Sequence, residues 1–181
     1  MMKLIPYTKI DGQRNFRDSE IMSLYDIMES DGVTTTVFYD GNIQNRESFL
    51  GYMKSKSCQL HILLDESCPI AIIYLDRFEG RTARIHFCCF LKIWGKKTIE
   101  AARFSLNEIL NYKYENEDDE YFFDVLIGRV PSTNKSAISF LKKVGCSFVG
   151  EIPFGYWNNK KQKSKNCFIT YIDREVTNGW K

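Results

Sequence analysis

The chain has 181 residues, of which 44% are hydrophobic and 27% are charged, and its formal net charge is +2. This length is enough to bury a full core, and we expect 1–181 to form a single domain. The composition argues against a disordered protein, the small net charge against nucleic-acid binding, and the short apolar runs against a membrane span or a signal peptide.

The first half of the chain predicts two helices followed by three strands, after an initial strand. Residues 17–30 form an amphipathic helix that ends at Gly32, with Asp18 or Ser19 as N-cap. Its apolar face repeats at helical spacing through Ile21, Leu24, Tyr25 and Met28. A weaker helix is predicted over 45–54. Strands follow at 59–65, 69–76 and 83–91, and the breaks between them are short enough for hairpin turns.

The second half predicts a helix, a strand, another helix and two closing strands. The first helix covers 98–112, with Ile99, Ala102, Leu106 and Ile109 inward, and an acidic solvated loop follows at 115–120. Residues 121–130 are almost continuously apolar, which is typical of a strand buried beside a parallel neighbour. The unit 84–130 is therefore predicted to be a right-handed crossover.

The second helix of this half lies within 133–145, where Gly145 ends it and one stripe carries Ala137, Ile138, Leu141 and Val144. Strands at 147–152 and 167–173 flank a basic loop at 155–166. The whole order predicts an α/β domain with a mixed, mostly antiparallel central sheet and about four flanking helices.

Residues 91–104 join a strand to a helix and carry Lys92, Lys96 and Lys97 around Gly95, with Thr98 at the predicted helix start. Lysines at a helix N-terminus oppose the helix dipole unless an anion binds there. Free backbone N–H groups at such a terminus suit phosphate, and glycine lets the backbone approach closely. The Walker A loop is excluded, because it needs glycine where Phe90 stands and Ser or Thr at position 97. Solvated lysines are the alternative.

Two segments resemble the GNAT superfamily of acetyl-CoA-dependent N-acyltransferases. The GNAT loop Arg/Gln-x-x-Gly-x-Gly/Ala is similar to residues 92–97, where Gly95 is kept and lysines replace the first and last positions. The GNAT pattern Asn-x-x-Ala/Ser-x-x-x-Tyr/Leu-x-Lys-x-Gly-Phe is similar to residues 134–146. The residues that carry this second likeness are Asn134, Ala137, Leu141, Lys143 and Gly145, with Cys146 in place of Phe. Both segments also resemble GNAT-like proteins encoded by bacteriophages.

The resemblance implies the GNAT fold, in which a splayed pair of parallel strands admits acetyl-CoA as cosubstrate, with no metal. It places the pyrophosphate at Lys92, Gly95, Lys96, Lys97 and Thr98. Asn134 would hydrogen-bond the pantetheine arm. The backbone around Phe87, Cys88 and Phe90 would receive the carbonyl oxygen of the thioester.

The chemistry implied is direct attack of a primary amine on the thioester, which needs a base and an acid. His86 is the best-placed base, although a lone histidine in an apolar strand also fits a core role. Many GNAT members have a tyrosine acid where this chain has Leu141, so Tyr156 or Tyr171 would have to replace it.

Other readings of these residues remain open. His86 and Cys88 share one strand face, so a Cys–His pair forming a covalent acyl-enzyme is a further alternative. No histidine cluster has metal-ligand spacing. The basic loop is consistent with an acidic acceptor or with a solvated hairpin.

Two functions therefore compete: an N-acetyltransferase with an unknown amine acceptor, and a non-catalytic GNAT-fold module that binds CoA or a protein partner. We expect a monomer or homodimer. The six cysteines lack C-x-x-C spacing and lie mostly in apolar segments, as buried thiols do, so we expect a reduced, cytoplasmic protein.

Overall fold

The computed structural model describes residues 1–113 and 120–180. Its strands are β1 (Met2–Pro6), β2 (Lys9–Ile10), β3 (Gln13–Arg14), β4 (Cys58–Asp65), β5 (Cys68–Glu79), β6 (Thr82–Cys89), β7 (Val125–Pro131), β8 (Ser147–Asn158) and β9 (Lys163–Asp173). Its helices are α1 (Asp18–Ser30), α2 (Thr34–Val37), α3 (Arg46–Met53), α4 (Lys96–Leu110), α5 (Lys135–Val144) and α6 (Arg174–Asn178). Single 3₁₀ turns lie at Leu91–Ile93 and Asn159–Lys161.

Seven of the strands form one sheet in the order β1-β4-β5-β6-β7-β9-β8, while β2 and β3 form a separate small hairpin. Every neighbouring pair in the large sheet is antiparallel except β6 and β7, which run parallel. The prediction of a mixed, mostly antiparallel sheet with one parallel pair is therefore confirmed.

The parallel pair separates soon after it forms. Only three residue pairs are in register, Thr82 with Val125, Ala83 with Leu126 and Arg84 with Ile127. Beyond them β6 stays paired with β5, and β7 stays paired with β9 as far as Pro131. A gap consequently opens between the C-terminal halves of β6 and β7.

The two faces of the sheet bury two separate apolar clusters. On one face α1 and α3 cover β4 and β5, and the predicted stripe of α1 is buried as expected (Ile21, Leu24, Tyr25 and Met28). On the other face α4 packs through Ala102, Leu106 and Ile109 against Leu63, Ile73 and other sheet residues. Helices therefore sit on both faces, and α4 lies on the face opposite α1.

Two helix starts and the burial of one helix differ from the predictions. The N-cap of α1 is Arg17, not Asp18 or Ser19, because the Glu20 carboxylate reaches back to the Arg17 backbone N–H at 2.7 Å. Helix α4 begins at Lys96, with Gly95 as its cap. Of the predicted stripe of α5 only Val144 is fully buried, because this helix borders the gap in the sheet.

Several short elements escaped sequence analysis. Helices α2 and α6 and the β2–β3 hairpin are too short to show a periodic pattern. The segment 155–166 is mostly strand, since β8 continues to Asn158 and β9 begins at Lys163, so the predicted extent of the loop was wrong and the segment forms a hairpin, the alternative given above. The predicted acidic loop falls almost entirely on 114–119, outside the described residues. No helix in the described ranges is long and apolar enough to cross a membrane.

Candidate functional site

A cleft of about 1000 Å³ occupies the gap between β6 and β7. It is walled by the first half of α4, by α5, by part of β9 and by the segment 31–39. The sequence-predicted residues that line it are His86, Phe87, Cys88, Gly95, Lys96, Thr98, Asn134, Leu141 and Tyr171. Four other predicted residues, Phe90, Lys92, Lys97 and Tyr156, do not line it.

The start of α4 offers unused backbone donors to this cleft. Gly95 has φ of 113°, a conformation that favours glycine, and no heavy atom lies within 4 Å of where its Cβ would be. The Thr98 N–H donates to the Gly95 carbonyl at 3.2 Å. The N–H groups of Gly95, Lys96 and Lys97 have no acceptor in the part of the chain described. With Lys96 beside them, these groups can receive an anion.

The other two lysines of this junction are directed elsewhere. Lys97 Nζ lies 2.6 Å from Asp65 Oδ2, and this hydrogen bond raises the pKa of Lys97 and lowers that of Asp65. Lys92 Nζ contacts Cys68 Sγ at 2.9 Å. Lys96 is therefore the lysine of the three that lines the cleft.

The edge of β6 exposes alternate backbone groups to the gap. The Phe90 N–H donates to the Ile70 carbonyl at 3.0 Å, so this residue points its backbone toward β5. Because antiparallel pairing alternates along a strand, Cys88 also faces β5, whereas Phe87 and Cys89 face the gap. The Trp94 indole N–H, which donates to the Cys89 carbonyl at 3.2 Å, agrees with this alternation.

The side chain of Asn134 caps a helix and keeps an unused hydrogen-bond donor. Its Oδ1 accepts from the Ala137 N–H at 3.1 Å and from Ser136 Oγ at 3.0 Å, which caps α5. Its side-chain NH₂ group donates to no atom among the described residues. The same side chain can therefore cap the helix and donate to a ligand in the cleft.

His86 belongs to a polar cluster centred on Asp76, which is 2% exposed. Arg84 donates to both Asp76 oxygens, at 2.7 and 2.6 Å, and Tyr52 donates its hydroxyl at 2.5 Å. His86 Nε2 lies 3.3 Å from Asp76 Oδ1. The His86 ring stacks on Tyr74, with ring centres 4.2 Å apart and planes 5° apart. This arrangement fixes the orientation of the imidazole.

The environment sets the charge state of the cluster. Burial alone would raise the pKa of Asp76, but hydrogen bonds from His86, Arg84 and Tyr52 outweigh it and hold the pKa well below its usual range. Burial lowers the pKa of His86 below its ordinary value, and the attraction of Asp76 only partly opposes this. At neutral pH His86 is therefore an uncharged imidazole held by a carboxylate, which is the form a general base requires.

The covalent alternative finds no support in the geometry. Cys88 is 5% exposed, and burial raises the pKa of its thiol to about 12, so it is protonated at neutral pH. His86 contacts Asp76 rather than this thiol. His61, the second histidine, lies outside the cleft lining, and no group of three metal-ligating side chains is found within 1–113 and 120–180.

The tyrosines predicted as acids differ in their positions. Tyr156 is 9% exposed and packs edge-on against Tyr39, with ring centres 4.7 Å apart. Tyr39 and Tyr171 line the cleft, so Tyr156 stands behind Tyr39. Leu141 presents an apolar side chain at the position where GNAT members often have tyrosine.

Three residues of the site were missed by sequence reasoning: Asp76, Tyr39 and Arg129. Asp76 and Tyr74 alternate on β5 opposite Arg84 and His86 on β6, so the period of two could have predicted this cluster. Arg129 gave a signal as the single charge within the apolar run 125–131. Tyr39 gave none, because it follows a helix of four residues.

Among known proteins, similarity to this chain is found in solved structures and not in family models or curated sequences. No family model matches the chain, and no curated protein does. Among solved structures, spermidine N-acetyltransferase from Vibrio cholerae, in complex with CoA and spermine, superposes with TM-score 0.69 at 11% identity, over 97% of each chain. The Salmonella typhimurium acetyltransferase that modifies the N-terminal serine of ribosomal protein L7/L12 gives 0.68 at 8%, over 95% of this chain and 94% of that one.

The microcin C7 self-immunity acetyltransferase MccE, in complex with acetyl-CoA and AMP, gives TM-score 0.65 at 10% identity, over 87% of this chain and 88% of that one. At such identities the likeness concerns the fold. The fold predicted from the resemblance is confirmed: the chain has the GNAT fold.

Proposed function

We propose that the protein is an acetyl-CoA-dependent N-acetyltransferase, one acyltransferase domain over 1–181, which transfers an acetyl group to a primary amine. One observation carries the proposal: an open strand edge on β6 and an unsatisfied helix N-terminus at α4 face the same cleft. The structural neighbours named above include complexes with CoA and acetyl-CoA, and two of them are described as acting on spermidine or on an N-terminal serine.

The cosubstrate would occupy the cleft with its pyrophosphate at Gly95, Lys96 and Thr98. Its pantetheine arm would lie in the gap, within reach of the Asn134 amide and of the Phe87 N–H. The contribution of Lys92 and Lys97 stays a prediction, because each would have to leave its present partner to reach the phosphates.

The reaction would proceed by direct attack. His86 takes the proton of the ammonium group, and the amine nitrogen then forms a bond to the thioester carbonyl carbon while the carbon–sulfur bond breaks. N–H groups on the β6 edge receive the carbonyl oxygen. The thiolate takes a proton from a hydroxyl in the cleft, for which Tyr39 and Tyr171 are placed better than Tyr156. The acylated nitrogen then gives its extra proton back to this hydroxyl, and His86 releases the proton that it took to solvent. Asp76 keeps His86 in position.

The second candidate is a GNAT-fold module that binds CoA or a protein partner without turnover. The observation that favours it is the apolar Leu141 at the usual position of the acid. Such a module would bind acetyl-CoA but release no thiol when amines are added.

Calorimetric titration with acetyl-CoA, with ATP as a control ligand, tests the cofactor site. Two adjacent lysines give a matched pair of variants, since Lys96 lines the cleft and Lys97 pairs with Asp65. Lys96→Ala should weaken binding about tenfold, the effect of one charge-assisted hydrogen bond, and Lys97→Ala much less. Equal effects would argue against phosphate binding at the start of α4.

Thiol release from acetyl-CoA in the presence of a panel of amines separates the two functions. Amine-dependent release that is lost in His86→Ala supports the transferase. Tight binding of acetyl-CoA with no release by any amine supports the non-catalytic module.

A further inference from the structure

We propose that the acceptor amine carries an anionic group, a carboxylate or a phosphate, and that Arg129 binds this group beside His86. The inference rests on the proposed transferase function and specifies its substrate class. It begins with the position of Arg129 on β7, across the gap from β6.

Arg129 and His86 stand level with each other on the two sides of the gap. Arg84 pairs in register with Ile127, so His86 and Arg129 each lie two residues beyond the last paired position. Residues two apart on a strand point to the same face, so both side chains lie on one face of the sheet. Both line the cleft. An amine held at His86 would therefore have a guanidinium on the opposite wall.

The guanidinium of Arg129 has no carboxylate partner among the described residues. One of its Nη atoms donates to the Gly155 carbonyl and lies 3.7 Å from Cys167 Sγ, while its Nε is buried without an acceptor. Arg84, the neighbouring cation, is held by two hydrogen bonds to Asp76. A half-buried cation without a counter-ion is unfavourable unless a ligand supplies the negative charge.

Tight packing holds Arg129 in this orientation. A Cβ on Gly155 would lie 2.5 Å from Cys167 Sγ, so the carbonyl that anchors Arg129 belongs to a closely packed stretch of β8. Such a rigid support is suited to a recognition site, because little side-chain freedom is lost when a ligand binds.

The surroundings of the pocket add positive charge. The β8–β9 hairpin contacts the cleft wall, since the Asn159 N–H donates to the Tyr39 carbonyl at 2.9 Å. This hairpin carries Lys160, Lys161, Lys163 and Lys165. The charge of neighbouring Lys163 lowers the pKa of Lys165. Two carboxylates are near: Asp31 lines the cleft and accepts from the Leu91 N–H at 2.7 Å, and Asp40, next to Tyr39, accepts hydrogen bonds from Asn42.

The anion in question is distinct from the phosphates of the cosubstrate. Helix α4, whose start is the proposed phosphate site, packs on the face that buries Leu63 and Ile73. Arg129 shares its face with His86 and thus with Tyr74, which belongs to the cluster on the opposite face. The acceptor is therefore the ligand that we expect to supply the negative charge to Arg129.

The test uses amines that differ only in their far end: 4-aminobutyrate, butylamine and 1,4-diaminobutane, together with the pair phosphoethanolamine and ethanolamine. Thiol release from acetyl-CoA gives kcat and KM, and calorimetry on the CoA complex gives affinity. We expect at least one anionic amine to exceed its neutral and cationic counterparts about tenfold in kcat/KM and in affinity, which is the effect of one ion pair in a partly buried site.

Arg129→Gln should abolish this preference, mainly through KM, and Arg129→Lys should retain part of it. Arg46→Gln, at an exposed arginine of α3, is the matched control, and circular dichroism checks that each variant is folded. Preference for the diamine or butylamine, discrimination unchanged in both Arg129 variants, or no binding of any anionic amine would each overturn the inference. Failure of acetyl-CoA itself to bind would instead count against the proposed function.

Discussion

At the scale of single residues, the arrangement around Asp76 gives one carboxylate three tasks. It neutralises Arg84, it accepts a hydrogen bond from the Tyr52 hydroxyl and it orients His86, all at a position that is 2% exposed. A buried carboxylate is stable only when its hydrogen bonds are made, so the loss of this one group leaves several polar atoms without partners. The stability of the fold and the orientation of the His86 imidazole therefore both depend on Asp76.

Asp76→Asn should lower the free energy of unfolding at pH 7 by about 3–5 kcal/mol, because Arg84 would remain buried without its counter-ion. The pKa of Asp76 lies below its value in the unfolded chain, so its contribution is fully present above that unfolded value. The contribution is lost as the pH falls through the lower, folded pKa. Urea denaturation at pH 7 and in strong acid, well below the ordinary carboxyl pKa of 3.8, measures both effects.

The control for this substitution is Asp65→Asn, which removes surface ion pairs with half-exposed Lys97 and with the N-terminal ammonium of Met1. A surface ion pair contributes little, so Asp65→Asn should lower the free energy of unfolding far less than Asp76→Asn does. Similar losses in the two variants would contradict the assignment of Asp76 as a buried hub.

His86 should govern the acid side of the pH–rate profile. Burial lowers its pKa, while Asp76 and Asp40 act to raise it and Arg84 to lower it, and stacked Tyr74 shields the ring. We expect kcat/KM to rise with pH through a midpoint below 6.5, the ordinary histidine value, as the imidazole loses its proton. His86→Gln should reduce the rate and remove this limb. If the acid limb of the pH–rate profile were unchanged in His86→Gln, another group would have to be the general base.

Strand alternation and the two motifs pointed to residues that line the cleft, while the roles of these residues stay predictions. His86 and Phe87 followed from their strand, and Gly95 and Asn134 from the two GNAT-like segments. The roles of Lys92 and Lys97 could not be anticipated, because their contacts with Cys68 and Asp65 come from β5 and β4, far away in the chain.

At the scale of elements, two helices begin at the cleft with different N-terminal chemistry. Helix α5 has a side-chain cap, since Asn134 accepts from the Ala137 N–H. Helix α4 has Gly95 and no side-chain cap, which leaves its first N–H groups available. The start of α4, where phosphate is proposed to bind, thus keeps the free N–H groups that a side-chain cap would occupy.

Two substitutions at Asn134 separate capping from ligand binding. Asn134→Asp preserves the cap acceptor and removes the NH₂ donor, so stability should be nearly unchanged while acetyl-CoA affinity falls severalfold. Asn134→Ala removes both and should also cost about 1 kcal/mol of unfolding free energy. Denaturation and calorimetry on the same samples measure the two quantities. Full affinity in Asn134→Asp would show that Asn134 serves α5 alone.

The elements that sequence analysis located were those with enough residues to show a period. Helices α1, α3, α4 and α5 were located within a few residues of their true ends. The basic stretch 155–166 was misread because its lysines and asparagines suggested a loop, whereas pairing of Tyr156 with Lys165 and of Trp157 with Ser164 extends both strands. Cross-strand pairing of this kind is a tertiary property that composition does not contain.

At the scale of the whole molecule, the sheet is interrupted where β6 and β7 part, and the cleft enters at this interruption. The GNAT fold itself was predictable from element order and two motifs, although no neighbour reported above exceeds 11% identity. The proposed preference for an anionic acceptor was not predictable, because it depends on which cation lacks an ion-pair partner after folding.

A ligand that fills the gap should stabilise the entire domain. At a concentration of acetyl-CoA one hundred times its dissociation constant, binding adds about 2.7 kcal/mol, which corresponds to a rise in Tm of roughly 5–10 °C for a chain of this size. Thermal unfolding followed by circular dichroism measures the shift, and Lys96→Ala at the same concentration should show less of it. An unchanged Tm at saturation would mean that the gap is not where the ligand binds.

The three residue pairs between β6 and β7 have a further consequence. They are the whole ladder that joins a four-stranded part of the sheet, β1-β4-β5-β6, to a three-stranded part, β7-β9-β8. Amide protons of Phe87 and Cys89 on the open edge should therefore exchange with solvent quickly in the free protein, while those directed toward β5 exchange slowly. A bound pantetheine arm would act as the missing strand between the two parts. Its binding would then slow the exchange of those amide protons on the open edge that donate to it.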